Sequence, residues 1–167
     1  MQLSTNKEAL AAPLALVAGA ADPRSQVAML GTVLLKANGG KLSLLCSDTT
    51  VVARAMTACQ IAEDGEIAVD VKRLNDLVRA LPDKQSLDFT LEANGNLLVK
   101  SGRSRFRLPT RPAADYPRMT PAKEQRVTLA IGAKRLAQLL EQVAEAVAVA
   151  DIRSYLNGAL VSLGNGF

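Results

Sequence analysis

Apolar and polar residues alternate along the first 120 residues with two periods, one typical of strands and one of helices. Met1–Thr5 alternates in the period of two that predicts a short strand. Asn6 is a suitable helix N-cap. Three apolar residues at helical spacing follow it and predict a helix over Lys7–Ala18. Pro13 lies inside this helix and is expected to kink or interrupt its hydrogen-bond ladder.

Seven further apolar runs predict strands, and a second set of helically spaced leucines and valines predicts one more helix. The strands are expected at Met29–Ala37, Lys41–Cys46, Thr50–Cys59, Glu66–Asp70, Leu87–Glu92, Leu97–Ser101 and Ser104–Leu108. Asn38-Gly39-Gly40 joins the first two and is typical of a tight hairpin. The helix is expected from Val71 until Pro82 stops it. The proline-rich stretch Pro109–Pro121 is interpreted as a linker.

After the proline-rich stretch, the pattern of the N-terminus starts again. A strand is expected at Val127–Ile131, then a helix marked by apolar residues as far as Val147. The matched pairs are Leu3 and Leu129, Leu10 and Leu136, Leu14 and Leu140, Val17 and Val143, Asp22 and Asp151, Arg24 and Arg153, Ser25 and Ser154, and Gly31 and Gly158. Both copies keep the order strand, helix, D-x-R-S loop and strand, which indicates an internal duplication. The second copy of the last strand would lie within 157–163.

The duplication also predicts the domain boundaries. We expect an α+β fold with antiparallel sheets and two helices per domain. Residues 1–120 would be one complete domain made of two similar halves, residues 121–126 a linker, and residues 127–167 the start of a second, truncated copy. Because a cut copy would leave a sheet edge and an apolar face uncovered, we expect this sequence to be the front of a longer protein.

The composition narrows the possible functions. Hydrophobic residues make up 49% of the chain, which is enough for a packed core, whereas aromatic residues make up only 3%, too few for a protein that binds single strands by stacking. There is no histidine, and no G-x-S-x-G, C-x-x-C or H-E-x-x-H motif occurs. No apolar run approaches membrane-spanning length. We therefore expect no catalysis by this chain, no cofactor, no metal and no membrane partner, and we interpret Cys46 and Cys59 as reduced thiols of a cytoplasmic protein.

Positive charge is concentrated in one segment. Between Lys100 and Arg126 there are eight Lys and Arg residues against two carboxylates, Asp115 and Glu124. The rest of the chain carries 12 positive and 14 negative residues. A local excess of this kind is expected of a surface that meets an anionic partner.

Three segments resemble one known family. SGRSRFRLPTRPAADYP at 101–117, IRSYLNG at 152–158, and the opening with Pro13, Arg24 and Leu30-Gly31 are similar to the bacterial DNA polymerase III beta subunit, the sliding clamp. The resemblance implies the DNA-clamp fold, with three such domains per chain and a head-to-tail homodimeric ring whose helices line the hole. It also implies double-stranded DNA, DNA polymerase III subunits and the clamp loader as partners, and processivity as the function. The residues alone leave an alternative, a repeat-built scaffold that binds an acidic protein and has no DNA role.

One predicted strand has a basic and an apolar face, formed by Arg103, Ser104, Arg105, Phe106, Arg107 and Leu108. Such alternation can also belong to an edge strand that charge protects from aggregation. The resemblance implies instead a subunit interface. Phe106 and Leu108 would bury against the other protomer, while Arg103, Arg105 and Arg73 would face acidic side chains.

The resemblance also implies contacts with DNA, by Arg24, Lys72, Arg79, Ser154 and Tyr155. The family often has two adjacent tyrosines where this chain has Ser154 and Tyr155, so stacking on a base is weakened here. Lys134 and Arg135 on the third helix are further candidates. A solvated helix face is the alternative interpretation for all the helical cations.

Arg153 and Leu156 match the start of the family's pocket for short peptides of polymerases and repair proteins. The resemblance therefore implies a partial peptide-binding site in the second copy. The alternative for both loop arginines is local, because Arg24 and Arg153 could each pair with the aspartate two residues earlier. Such a pair stabilises a turn only slightly when it is exposed.

Overall fold

The structure, a computed structural model, describes residues 1–117 and 130–162, and of Ser154 it describes the backbone alone. The chain divides into two compact units, unit 1 from Met1 to Thr120 and unit 2 from Pro121 to Phe167. None of the helices in the described ranges is long and apolar enough to cross a membrane.

Unit 1 contains nine strands and two α-helices in the part that the structure describes. In chain order they are β1 Gln2–Asn6, α1 Lys7–Ala18, β2 Thr32–Asn38, β3 Lys41–Ser47, β4 Val52–Ala58, β5 Gln60–Glu63, β6 Gly65–Asp70, α2 Val71–Ala80, β7 Ser86–Leu91, β8 Asn96–Ser101 and β9 Ser104–Pro112. Short 3-10 helices lie at Ala28–Gly31 and Ala113–Asp115. The two predicted halves of strand, helix and three strands are present, with β5 inserted between them.

Side-chain caps start both helices. The Asn6 side chain accepts a hydrogen bond from the Ala9 N–H at 2.7 Å, as its position predicted. Asp70 does the same for α2, accepting from the Arg73 N–H at 2.8 Å. α1 contains Pro13 and still continues to Ala18, so the missing N–H of the proline does not end the helix.

All strand pairs are antiparallel and form one sheet in the order β4-β3-β2-β6-β9-β8-β7-β1-β5. The β2–β3 hairpin turns at Gly39 and Gly40, both with positive φ, which glycine adopts without strain. β9 joins the two halves of the sheet. Its residues Ser104–Pro109 pair with β8, and Thr110–Pro112 then pair with β6.

The two faces of the sheet are covered by different elements. On one face, alternate residues of β2 and β6 such as Val33 and Val69 pack in the main core with Leu14 of α1 and Leu74 of α2. On the opposite face a smaller cluster is formed by Met29, Leu34, Ala68 and Tyr116. The two α-helices therefore lie on one side of the sheet, and the Ala28–Gly31 turn lies on the other.

Three predictions for unit 1 are wrong in detail. The linker prediction fails over Pro109–Pro112, which belongs to β9. The two prolines fit there because Pro109 ends the ladder with β8 and Pro112 ends the ladder with β6, where a missing N–H costs little. β2 begins at Thr32, since residues 28–31 form a 3-10 turn that starts the small cluster. The short strand β5 was not predicted, since the expected strands end at Cys59 and begin again at Glu66; its pairing with β1 defines it.

Unit 2 contains one α-helix among its described residues, α3 Ala133–Ala144, and a 3-10 turn at Ser154–Asn157. The helix ends three residues before the predicted Val147. No strand is assigned at residues 158–162, so the predicted second-copy strand is wrong over this stretch, and Leu163 lies outside the described residues. Of the predicted strand at Val127–Ile131, only Ala130 and Ile131 are described, and they are not in a strand.

Candidate functional site

The most distinctive surface of unit 1 is an open strand edge on β9. One side of Ser104–Leu108 is paired with β8, and within the described residues no strand pairs with the other side, because β6 meets β9 only from Thr110 onward. Arg103, just before the strand, and Arg105 within it are exposed and form no ion pair with any described residue. An open edge exposes backbone N–H and C=O groups, which favours pairing with another chain.

Arg107 differs from the other two arginines of this strand. Its Nε donates to both carboxylate oxygens of Glu92, at 3.0 and 3.2 Å. This side-chain hydrogen bond is the main reason that the pKa of Glu92 lies below its usual value. Arg107 is therefore already paired with a carboxylate of unit 1. Among the arginines at 103, 105 and 107, only Arg103 and Arg105 have guanidinium groups without an ion pair to a described residue.

Phe106 and Leu108 share one face of β9, as their alternation predicted, but they differ in burial. Leu108 is 8% exposed and belongs to the main core of unit 1, opposite Leu97 of β8. Phe106 is 36% exposed, although it pairs with Val99 of β8. Phe106 is thus the residue of this pair that has exposed apolar surface.

The exposed cations of the helices in unit 1 lie on α2. Its buried stripe is Val71, Leu74 and Val78, and this leaves Lys72, Arg73 and Arg79 exposed. Lys72 and Arg79 are seven residues apart, so they lie on one stripe of the helix. The exposed residues of α1 are Glu8, Ala12, Ala15 and Leu16, with no cation among them. Lys7 of α1 is bonded to Asp83 at 2.8 Å, which ties the start of α1 to the segment after α2.

The two D-x-R-S loops form the same turn. The Arg24 N–H donates to Asp22 Oδ1 at 3.1 Å, and the Arg153 N–H donates to Asp151 Oδ1 at 2.8 Å. A 3-10 turn begins at Ala28 in the first copy, three residues after Ser25, and at Ser154 itself in the second copy. The two loops of the repeat therefore share this hydrogen bond, but the position of the 3-10 turn differs.

The two loop arginines nevertheless differ. The Arg153 guanidinium donates from Nε and Nη2 to the two carboxylate oxygens of Asp151, at 3.1 and 3.0 Å. This bond lowers the pKa of Asp151. Arg24 makes no ion pair within the described part of the chain, so its guanidinium is free in unit 1. The local pairing that the sequence left open occurs in the second copy and not in the first.

The loop of unit 2 is stabilised by one further residue. The Asn157 side-chain amide accepts from the Asp151 N–H and donates to the Asp151 carbonyl, both at 2.9 Å. Tyr155 in this loop is exposed, and Leu156 is half-buried. The side chain of Ser154 lies outside the described residues. Lys134 and Arg135 are both exposed at the start of α3.

No group of three or more His, Cys, Asp or Glu side chains that could hold a metal ion occurs in residues 1–117 and 130–162. Asp48 accepts the backbone N–H groups of Thr50 and Val51 at 2.8 and 2.7 Å, which makes it a turn-forming carboxylate. Burial raises the pKa of the Cys46 thiol to about 12, so Cys46 is not a nucleophile at neutral pH.

Residues 1–120 match the family model described as DNA polymerase III beta subunit, N-terminal domain. The chain belongs to the DNA polymerase III beta subunit family. It is 38% identical over 168 residues to the beta sliding clamp of Pseudomonas aeruginosa, covering 99% of this chain and 45% of that protein. It is 34% identical to the beta sliding clamp of Escherichia coli, covering 96% of this chain and 43% of that protein.

Solved beta subunits have the same fold. The crystal structure of the DNA polymerase III subunit beta from Pseudomonas aeruginosa superposes with a TM-score of 0.87 at 37% identity, covering 95% of this chain and 43% of that chain. The sliding clamp from Caulobacter crescentus also gives 0.87, at 30% identity. The predicted resemblance and the clamp fold are confirmed. The chain spans less than half the length of the beta subunits that it matches.

Within this beta-subunit fold, the structure groups some of the predicted site residues and separates others. Arg103, Arg105 and Phe106 share the open edge of β9. Arg73 lines a cleft together with Pro109 and Arg111, the residues that continue β9 beyond that edge. Arg111 was not a predicted site residue. Its position between Pro109 and Pro112 led to the linker interpretation, and only the pairing of β9 with β6 placed it beside α2.

Proposed function

We propose that the natural protein is a sliding clamp, which encircles double-stranded DNA and gives processivity to DNA polymerase III. The observation that carries this proposal is family membership, since residues 1–120 match the beta-subunit family and the aligned relatives are beta sliding clamps. Residues 1–120 would be the first clamp domain, 121–126 a linker and 127–167 the start of the second domain. A clamp acts by topology and position, so this function asks for no catalytic group and no cofactor. It would be exercised in the bacterial cytoplasm.

The proposed DNA contacts are Arg24, Lys72, Arg79, Ser154 and Tyr155. The free guanidinium of Arg24 and the shared stripe of Lys72 and Arg79 support the first three, because unpaired exposed cations can attract phosphates. Contacts with phosphates carry no sequence information. A protein that slides needs attraction of this kind, weak, exchangeable and dependent on salt. Lys134 and Arg135 are proposed to add to it.

The proposed homodimer interface is the open edge of β9 with Arg73, Arg103, Arg105, Phe106 and Leu108. Backbone groups of Ser104–Leu108 would pair with a strand of the other protomer, and Phe106 would bury its exposed ring. Arg73, Arg103 and Arg105 would face carboxylates. Leu108 would contribute indirectly, because its side chain packs in the main core of unit 1 and holds β9 in position. Because part of the contact is ionic, we expect the dimer to weaken as salt rises.

Arg153 and Leu156 are proposed as the first part of a peptide pocket for polymerase III subunits and the clamp loader. Asp151 and Asn157 support this role, because their hydrogen bonds hold Arg153 and the turn around Leu156 in one geometry. The half-buried Leu156 would supply apolar surface to the peptide.

Retention on DNA of defined topology tests the clamp proposal. The natural protein, captured from its source cells with an antibody to residues 1–120, is loaded on nicked circular plasmid by the clamp loader and separated from free protein by gel filtration. We expect it to stay on the circle and to leave after the plasmid is linearised. Equal retention on circular and linear DNA, or none on either, would contradict encirclement and favour a scaffold.

The interface proposal has its own test. We expect Arg103→Glu with Arg105→Glu to raise the dimer dissociation constant of the natural protein at least tenfold in sedimentation equilibrium, since two guanidinium groups would become carboxylates facing carboxylates. Lys41→Glu with Arg54→Glu is the matched control, because it reverses the charge of two exposed residues, on strands β3 and β4, away from the open edge. Equal effects of the two changes would show that only net charge matters.

A further inference from the structure

Unit 1 contains a cleft of which the roles above use only one residue, Arg73. It has a volume of about 480 Å³ and lies between the loop that carries the first D-x-R-S sequence and the second part of β9. Thr32 and Ala68 of the sheet line it, as do Pro23 and Ala28 on the loop side and Pro109 on the strand side. This volume is within the range of ordinary ligand pockets.

Two guanidinium groups give the cleft its charge. Arg73 from the first turn of α2 and Arg111 from β9 both line it, and neither forms an ion pair with a described residue. The carboxylate that also lines it, Asp70, is already hydrogen-bonded to the Arg73 N–H at 2.8 Å as the helix cap. The cleft therefore combines a net positive charge with small apolar surfaces.

The position of the cleft limits what can occupy it. Ala68 points to the face of the sheet that carries the Met29–Tyr116 cluster, opposite the face covered by α1 and α2. A cleft of about 480 Å³ is also too small to admit a double helix, although it can admit an extended peptide and its side chains. Guanidinium groups bind carboxylates through paired, directional hydrogen bonds.

We propose that this cleft binds an extended acidic peptide of another protein. Its carboxylates meet Arg73 and Arg111, and small apolar side chains fill the space between Pro23, Ala28 and Pro109. The site is distinct from the partial pocket at Arg153 and Leu156, and it does not depend on ring closure or on DNA.

Peptide titration of the whole chain tests this site. The probe is a fluorescein-labelled peptide that alternates glutamate with alanine or leucine, and its lysine counterpart is the charge control. We expect saturable binding of the acidic peptide alone, with amide NMR shifts at Ser25, Ala28, Thr32 and Thr110. Arg111→Glu should weaken binding at least tenfold, and Arg54→Glu should change it less than twofold.

A second variant separates shape from charge. Ala28→Trp fills the exposed side of the cleft without changing charge, and we expect it also to weaken peptide binding at least tenfold. Both variants avoid Arg73, which is proposed at the dimer interface, so a failed clamp proposal and a failed cleft proposal give different results.

Three outcomes would overturn the proposal. The first is peptide-induced shifts confined to Arg103 and Arg105, which would place the peptide on the open edge. The second is a loss of duplex binding, rather than peptide binding, in Arg111→Glu. The third is a change of sedimentation in Arg111→Glu, which would make the cleft a contact between copies of this chain.

Discussion

Leu14 and Leu140 occupy the same place in the two copies of the repeat, but their surroundings differ. Leu14 on α1 is 0% exposed and belongs to the main core, whereas Leu140 on α3 is 46% exposed. Truncating each leucine to alanine therefore removes the same atoms from a closed core and from a half-open surface. Comparing the two substitutions therefore shows how much the packing of this leucine stabilises each unit.

The expected magnitudes follow from burial. Leu14→Ala removes buried methyl and methylene groups and leaves a cavity, which costs about 2–5 kcal/mol in packed cores. Leu140→Ala loses roughly half of the transfer free energy of the same groups and leaves no closed cavity. At about 0.8 kcal/mol per buried methylene, half of the loss for the three carbons removed is about 1.2 kcal/mol. We expect the first substitution to cost at least twice as much as the second.

Native-state hydrogen exchange with mass spectrometry measures each unit separately, through peptides covering residues 7–18 and 133–144. We expect Leu14→Ala to lower the opening free energy of α1 by about 3 kcal/mol and to leave α3 unchanged. A loss for α3 in Leu140→Ala as large as the loss for α1 would refute the reasoning, because α3 would then be packed in solution. A loss for α1 below about 1 kcal/mol would equally contradict the assignment of Leu14 to a closed core.

Three further predictions concern unit 1. Gly65→Ala should cost about 1–3 kcal/mol in urea unfolding, because a Cβ there would lie 2.5 Å from Met1 Cβ; an unchanged unfolding midpoint would contradict this packing. Hydrogen bonds from two backbone amides of the loop that contains Asp48 lower the pKa of this carboxylate in the folded protein. The carboxylate therefore stabilises the fold fully above the ordinary aspartate pKa of about 3.9. This stabilisation is lost as the pH falls through the lower pKa of Asp48 in the folded state. Thermal midpoints measured between pH 2 and 6 should therefore fall less steeply for Asp48→Asn than for the unmodified protein, and parallel curves would exclude this role. Cys59 should react with a disulfide reagent at pH 8 before Cys46, whose pKa is raised to about 12, and peptide mapping that finds Cys46 modified first in the folded protein would contradict its burial.

Local features of this protein could be predicted from its sequence because short-range chemistry decides them. Asn6 caps α1, the two glycines after Asn38 turn a hairpin, and Pro82 follows Leu81, the C-cap of α2. The repeat was also visible, because the turn in each D-x-R-S loop needs only the aspartate and the backbone two residues later. Local patterns of this kind predicted the α+β class and both helices of unit 1, whereas the resemblance to the family rested mainly on the segments at 101–117 and 152–158.

Contacts between residues distant in the sequence decided the rest. Leu108 was grouped with Phe106 by alternation, yet Leu108 lies in the main core and Phe106 is 36% exposed, a difference that their shared face does not predict. The prolines of β9 suggested a linker because proline is rare inside strands. They are tolerated here since β9 changes its partner from β8 to β6 between them, and that change depends on strands that come earlier in the chain. The same exchange opens the edge at Ser104–Leu108 and brings Arg111 beside Arg73. A sequence pattern records which face a residue takes on its own strand or helix, but the partners of that strand or helix are set by packing across the whole unit.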